Sequence, residues 1–302
     1  MSATAMWTDW SCQVRLTIDR PDFLADARKH LVLLMDDVAK SANRFRPDSD
    51  ISRINGSAGR MVPVSGRTIG LLETALDAAA VTGGAVDPTV GAHVRRAGYD
   101  ADIDIVRAVT RPAKDDTLPQ ADWTSVQINH SLSLAGIPRG LQLDLGASAK
   151  AWTADVAAHA IAGMLGTAVL VEIGGDVSVA GRRECPWQIQ VSEQTGEPGQ
   201  RVAVSRGGVA TSSTAARRWR TTAGEAHHII DPRTGRPSSG PWRTATVWAP
   251  TAVEANTSST AALILGDEAV AYLEDTHVAA RLVDNSGRVR VTCEWPAEAE
   301  AA

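Results

Sequence analysis

Cysteine is scarce in this chain, with three in 302 residues. Cys12, Cys185 and Cys293 lie far apart and form no CxxC pair. That set excludes a disulfide framework and a cysteine-based zinc site, and it fits thiols kept reduced in a cytosol. No apolar run approaches the roughly 20 residues a helix needs to cross a bilayer, so membrane insertion is not expected. The stretch Met1–Asp19 lacks a basic n-region and an unbroken apolar core. An export or lipid signal is therefore not read there, and a cytoplasmic location is expected. A block of Lys and Arg is also missing, and 30 basic against 35 acidic residues leave a net charge of −5. Such a chain carries no electrostatic footprint for nucleic acid. Without GxxxxGK[ST], HExxH or GxSxG, several common enzyme classes fall away as well.

What is present is ordinary for a globular chain: 44% hydrophobic and 22% charged residues, with length enough for one large domain or two intimate lobes. Trp10–Ile18 reads as a strand, and Asp19-Arg20-Pro21 opens a helix with proline where its missing N–H costs little. Phe23, Ala27, Leu31, Leu34, Met35 and Val38 recur at helical spacing. A second helix is expected over Thr68–Val81, stopped by Gly83-Gly84. Strands follow at Ser125–Leu134 and Leu141–Leu143, then a helix at Ala147–Met164 and a buried strand at Ala168–Ile173. Shorter strands are expected at Trp187–Val191, Arg201–Val204 and Val209–Thr211. The strand Thr244–Ala249 precedes helices at Val253–Leu265 and Asp267–Glu274. A turn at Asn285-Ser286-Gly287 brings in a last strand, Val289–Thr292. Arg111–Gln120 reads as a loop between lobes, Gln194–Gln200 as a mobile loop, and residues 296–302 as a disordered tail behind a domain over 1–295. Strands and helices interleave without βαβ regularity, which favours an α+β fold with mixed or antiparallel sheets packed with helices.

Several segments combine small residues, one acid or amide, and a turn or helix start. Ala226–Pro237 holds His227 and His228 before an apolar pair and the turn formers Asp231-Pro232 and Thr234-Gly235. Histidine titrates near neutrality, so this run is a candidate for proton transfer as well as a simple exposed turn. Gly83–Gly91 contains Asp87-Pro88 and reads either as a helix cap with a turn or as a loop whose backbone meets a ligand edge. In Leu143–Lys150 a strand breaks into a helix; its small residues allow backbone amides to approach a phosphate, with Lys150 as a nearby charge. The alternative there is a solvated lysine and an N-capping Asp144. Glu172–Asp176 ends a strand in glycines without GxGxxG spacing, so a structural turn is the stronger reading for Asp176. Asn256, Ser259 and Thr260 fall on one helix face, and their oxygens suit Mg²⁺, a hard cation, or a packed polar face.

In this order, these segments resemble the ApbE family of flavin transferases, nearly end to end. Ala5–Thr8 is similar to that family's Met-Gly-Thr opening, and Phe45–Asn55 to its aromatic, Pro-x-Ser and Ser-Arg-x-Asn segment. Ala85–Gly91 resembles its Asp-Pro-Thr-x-Gly loop, and Asp144–Asp155 its Asp-Leu-Gly-Gly-x-Ala-Lys-Gly-x-x-x-Asp helix start. Glu172–Asp176 and Gly208–Ser213 resemble its Gly-Gly-Asp and Ala-Thr-Ser-Gly stretches. His228–Gly235 matches His-Ile-Ile-Asp-Pro-x-Thr-Gly residue for residue.

The resemblance implies a two-lobed single domain. It further implies Mg²⁺-dependent transfer of FMN from FAD to a threonine of an acceptor protein, the FMN-binding domain of a redox protein, with release of AMP. By position it implies FAD contacts at Met6, Phe45, Ala85, Val86, Asp87, Asp144, Lys150 and the backbone of Ile230. The metal would be held by the Ala147 carbonyl with Asn256, Ser259 and Thr260, and His228 would be the general base. One departure bears on chemistry: the family's metal-binding Asp is Asn256 here, which keeps an oxygen but loses the charge. FAD hydrolysis to FMN and AMP, or a non-catalytic FAD carrier, are the alternative readings of the same residues.

Overall fold

Strand Asp176–Ala180 reads Asp-Val-Ser-Val-Ala, and strand alternation sends Asp176 and Ser178 to one face and Val177 and Val179 to the other. That division organises a large sheet whose two faces carry different neighbours. The computed structural model describes residues 2–114, 116–193 and 199–296. Contacts divide the chain into two compact units. The first comprises Met1–Leu34, Lys150–Ala216 and Gly240–Ala302, and the second Met35–Ala149 with Arg217–Ser239.

The first unit contains an eight-stranded sheet. Its strands, in spatial order, are Ala3–Asp9, Cys12–Ile18, Val169–Ile173, Asp176–Ala180, Gly207–Ser213, Trp242–Ala249, Ala279–Asp284 and Val289–Thr292. Every neighbouring pair is antiparallel. Val177, Val179, Leu170 and Val209 pack with Trp187, Val191, Val202 and Val204 from the hairpin Trp187–Val191/Gln200–Val204. Trp295 closes this cluster, its indole donating to Gln200 Oε1 at 2.7 Å.

On the other face lie helices Ala149–Leu165 and Ala252–Leu265. The second of these is rich in Ala, Ser and Thr, and nearly all of it is buried. Its small side chains permit an approach so close that a Cβ on Gly208 would stand 2.3 Å from the Ala252 nitrogen. The helix begins with Thr251 accepting from Glu254 N–H, as an N-cap should. Asp155 satisfies two more amides, accepting from Ala252 and Val253 N–H at 3.0 Å each, while the Ser178 hydroxyl donates to it at 2.6 Å.

The second unit has a three-stranded sheet in the order Val62–Pro63, Leu134–Gly136, Gln127–Asn129. Two hairpins, Arg218–Thr221/Gly224–His227 and Ile230–Asp231/Arg236–Pro237, complete its strands among the described residues. Helix Gly66–Val81 buries Leu71, Leu72, Ala75, Ala78 and Ala79. A second apolar cluster joins Val94, Tyr99, Ile103, Val106, Trp219, Ala226 and Ile230.

Antiparallel sheets packed with helices agree with the α+β expectation. Several local expectations differ. Ser125–Leu134 is not one strand, because a turn at residues 130–133 splits it into two pairing strands. Leu141–Leu143 forms no strand; Gln142 makes an isolated parallel bridge to Val90. Gly174 and Gly175 both have positive φ, the signature of a tight two-residue hairpin turn, so Asp176 starts the next strand and is buried rather than part of the turn. Residues 111–120 fall inside the second unit, where Arg111 pairs with residues 220 and 222 through its backbone. Asp115, residues 194–198 of the expected mobile loop, and residues 297–302 of the expected tail lie outside the described residues.

The Asp155 cap generates a stability prediction. Asp155→Ala leaves two helix amides and the Ser178 hydroxyl without their acceptor, which costs about 2–4 kcal/mol. Urea unfolding of the variant should show a lower midpoint with an unchanged slope.

Candidate functional site

In the first unit the polar residues converge on Asp176. This carboxylate is buried on the helix-facing side of the sheet. Its Oδ1 accepts from Asn256 Nδ2 at 2.8 Å, and its Oδ2 faces the Lys150 ammonium at 3.5 Å. Burial raises the Asp176 pKa, and the lysine charge and the Asn256 hydrogen bond oppose that rise. One face of helix Ala252–Leu265 presents Asn256, Ser259 and Thr260, as the spacing predicts. Ser212 Oγ lies 2.8 Å from Ser259 Oγ and 2.9 Å from Thr260 Oγ1, and Ser259 donates to the Asn256 carbonyl. A hydroxyl chain running Thr260, Ser212, Ser259, carbonyl satisfies each donor and leaves lone pairs on Thr260 unfilled.

Asn256 Oδ1 is buried and accepts no hydrogen bond among the described residues. An amide oxygen withdrawn from water without a donor is costly, and a hard cation is the partner that would satisfy it. No group of His, Cys, Asp or Glu with metal-ligand geometry occurs among the described residues, so the donor set is amide and hydroxyl oxygen. Those donors fit Mg²⁺, which tolerates few protein ligands and retains waters. Met6, on strand Ala3–Asp9 of the same unit, is 51% exposed.

In the second unit the expected residues gather around Asp144. Its carboxylate pairs with Arg44 Nε at 2.7 Å and accepts Gly146 N–H at 2.7 Å. Its backbone N–H reaches the Pro88 carbonyl, tying it to the loop that carries Ala85, Val86 and Asp87. Asn55 exchanges two hydrogen bonds with the Leu143 backbone, so the Ser-Arg-x-Asn segment anchors the adjoining residue. Arg44 also stacks on Phe45 and Tyr99, with its guanidinium carbon 4.1 and 4.7 Å from the ring centroids. Phe45 meets Tyr99 edge-on at 5.6 Å, and Tyr99 meets Trp219 at 5.3 Å. Phe45 remains 40% exposed, an aromatic ring held in place yet open on one side.

Asp87 is used differently from a freely reaching carboxylate. It accepts from Thr89 N–H and Oγ–H at 2.7 Å and from Trp123 N–H at 3.1 Å, holding its own loop. Burial raises its pKa against those hydrogen bonds. Ala85 is half-buried and Val86 is buried. Ala147 sits half-buried in the turn before helix Ala149–Leu165.

The two adjacent histidines separate. His227 ends strand Gly224–His227, is buried, and pairs its Nε2 with the Ser238 carbonyl at 3.0 Å. A carbonyl only accepts, so Nε2 carries the proton of a neutral ring, and burial lowers the pKa of this residue. His228 lies in the following bend and is half-buried. Ile230 has its side chain in the apolar cluster, so what it can offer a ligand is backbone.

Sequence reasoning did not single out Arg44, Tyr99, Trp219, Asp155 or Ser212. Signals were present for Arg44, which adjoins Phe45, and for Asp155 and Ser212, which lie within segments that resemble family motifs; Tyr99 and Trp219 meet their partners across long stretches of chain.

The carboxylate–lysine pair and the unsatisfied amide oxygen belong to the first unit, and the open aromatic ring belongs to the second. The ApbE family model matches residues 6–282, and the chain belongs to the ApbE family. It is 31% identical to a Treponema pallidum protein named FAD:protein FMN transferase, over 85% of this chain and 76% of that protein. Its fold is similar to that of the ApbE protein from Thermotoga maritima, with a TM-score of 0.85, 23% identity and 97% of each chain covered. The apo flavinyl transferase ApbE of Pseudomonas stutzeri gives a TM-score of 0.79 at 21% identity, covering 97% of this chain and 95% of that one. No helix among the described residues is long and apolar enough to cross a membrane.

The buried neutral His227 makes stability depend on pH. Its folded pKa lies below the unfolded value of about 6.5. The unfolded chain therefore takes up a proton first as pH falls through that value, and stability is lost downward from there. His93, also buried with a lowered pKa, adds to the same trend. The melting temperature should fall between pH 7 and pH 5, and it should fall less steeply in His227→Gln than in the parent chain.

Proposed function

We propose that this chain is an FAD:protein FMN transferase: it moves the FMN moiety of FAD onto a threonine hydroxyl of an acceptor flavoprotein and releases AMP. The observation that carries the reading is the buried, unsatisfied Asn256 Oδ1 beside the Lys150–Asp176 pair, in a chain of this family. When bound, Mg²⁺ would withdraw charge from the pyrophosphate, held by Asn256, Ser259, Thr260 and the Ala147 carbonyl. Lys150 adds positive charge for the same phosphates, and its pairing with Asp176 keeps it ordered. Phe45 offers its open face for stacking. Met6, Ala85, Val86, Asp87, Asp144 and the Ile230 backbone are the remaining flavin or nucleotide contacts.

A threonine hydroxyl is a poor nucleophile near pH 7, so a base must take its proton as it attacks. His228 is assigned that role. The bond from threonine Oγ to the FMN phosphorus forms, the pyrophosphate P–O bond to AMP breaks, and the hydroxyl proton goes to the imidazole. Transfer of this kind depends on positioning and charge neutralisation more than on covalent chemistry by the enzyme. Cys12, Cys185 and Cys293 are free thiols, which suits the cytoplasmic setting of this reading.

The test combines the chain with FAD, Mg²⁺ and an FMN-binding acceptor domain. Covalent flavin on the acceptor and an equal amount of AMP are expected. His228→Ala should lower the rate by about 10²–10⁴-fold with FAD affinity retained. AMP released equally without acceptor would make the chain an FAD hydrolase, and FAD bound without AMP release would make it a carrier.

A further inference from the structure

We propose that Asp176 is a positioning residue for the cation: its carboxylate fixes the orientation of the Asn256 amide, so that the amide presents oxygen rather than NH₂ to the metal. The proposal rests on the transferase reading only for the identity of the cation, Mg²⁺. It goes further by explaining how a chain with Asn in place of the expected metal-binding Asp can still offer an oxygen to a metal.

An asparagine amide has two ends of opposite character, a carbonyl acceptor and an NH₂ donor. Which end points where is decided by its partners. The Asp176 carboxylate, set beside the Lys150 ammonium, receives the Asn256 Nδ2–H at 2.8 Å on Oδ1, so the amide end that faces it is the donor. The other end, Oδ1, then points away from Asp176 with no donor of its own. Lys150, 3.5 Å from Asp176 Oδ2, fixes the second carboxylate oxygen in turn. The order from Lys150 through Asp176 to Asn256 thus runs donor, acceptor pair, donor, and it ends in a buried acceptor. Reversing any one member reverses the last. Outer partners of this kind orient metal ligands generally, and their loss costs about 10–100-fold in affinity.

The logic predicts an inversion. In Asp176→Asn the new amide turns its oxygen to the Lys150 ammonium and its NH₂ to residue 256. Asn256 must then rotate to accept, and it presents NH₂ to the cation. In the double variant Asp176→Asn/Asn256→Asp, the NH₂ of residue 176 donates to one oxygen of the new carboxylate, and the other faces the cation. The swap restores the polarity and keeps the shape of both side chains.

The probe is Mn²⁺, a hard divalent ion, titrated into the full chain with free ion followed by electron paramagnetic resonance. Asp176→Asn should weaken binding about tenfold or more, and the double variant should return it to the parent value or tighter. Asn256→Asp alone sets two carboxylates within hydrogen-bond distance. Its metal-free melting point should drop, and Mn²⁺ should raise it more than in the parent. In the transfer assay, Asp176→Asn should raise the KM for metal by a larger factor than it lowers kcat at saturating metal. A purely structural role for Asp176 would lower the melting point without that split. Parent-like Mn²⁺ affinity in Asp176→Asn, or no recovery in the double variant, would overturn the proposal. Absence of flavin transfer with the metal series as described would sink the transferase reading and leave this one standing.

Discussion

Placing the Asp176 carboxylate inside the first unit is the constraint on which most of the site depends. A buried carboxylate is tolerable only when its oxygens are met by donors or positive charge. Lys150 approaches it from helix Ala149–Leu165 and Asn256 from helix Ala252–Leu265. Each of these contacts fixes a helix against the sheet, so the charge positions the residues assigned to phosphate and metal. Asp155 repeats the arrangement at the end of the second helix, where it holds two amides and a strand hydroxyl. Two acids to which the proposed reaction assigns no direct part therefore place residues to which it does assign one.

Small side chains make this economy of space possible. Helix Ala252–Leu265 lies so near strand Gly207–Ser213 that hydroxyls of Ser212, Ser259 and Thr260 touch directly. A helix with bulkier residues on that face would stand farther off, and the hydroxyl chain would need waters to span the gap. The second unit solves its own positioning problem with aromatic stacking and one ion pair. Arg44 binds Asp144 and lies on two rings, which leaves Phe45 anchored with one face exposed.

How much of this was legible in the sequence depended on the range of the interaction. Helices Gly66–Val81 and Ala252–Leu265 and the hairpin at Asn285–Gly287 follow from spacing, caps and turn residues, all local signals. The one-face grouping of Asn256, Ser259 and Thr260 follows from helical periodicity alone. Short elements were not legible: strand Ala3–Asp9, helix Gly91–Arg96 and the hairpin Arg218–His227 gain their stability from tertiary packing rather than propensity. The strand expected at Leu141–Leu143 has alternating apolar residues but only a single bridge, from Gln142 to Val90, and one bridge does not make a strand.

The sequence by itself determined the family, the α+β class and the identities of the acid, lysine, histidine and hydroxyl residues, because motif order and local periodicity are written along the chain. Tertiary structure alone decided which way those groups point. It separated His227, locked neutral against Ser238, from His228 in the next bend. It also moved Asp176 from a turn into the interior, since a two-glycine hairpin turn ends one residue earlier. Most specifically, it set the Asn256 amide with its oxygen outward from Asp176. An amide's orientation depends on partners eighty residues away, and no local pattern encodes it.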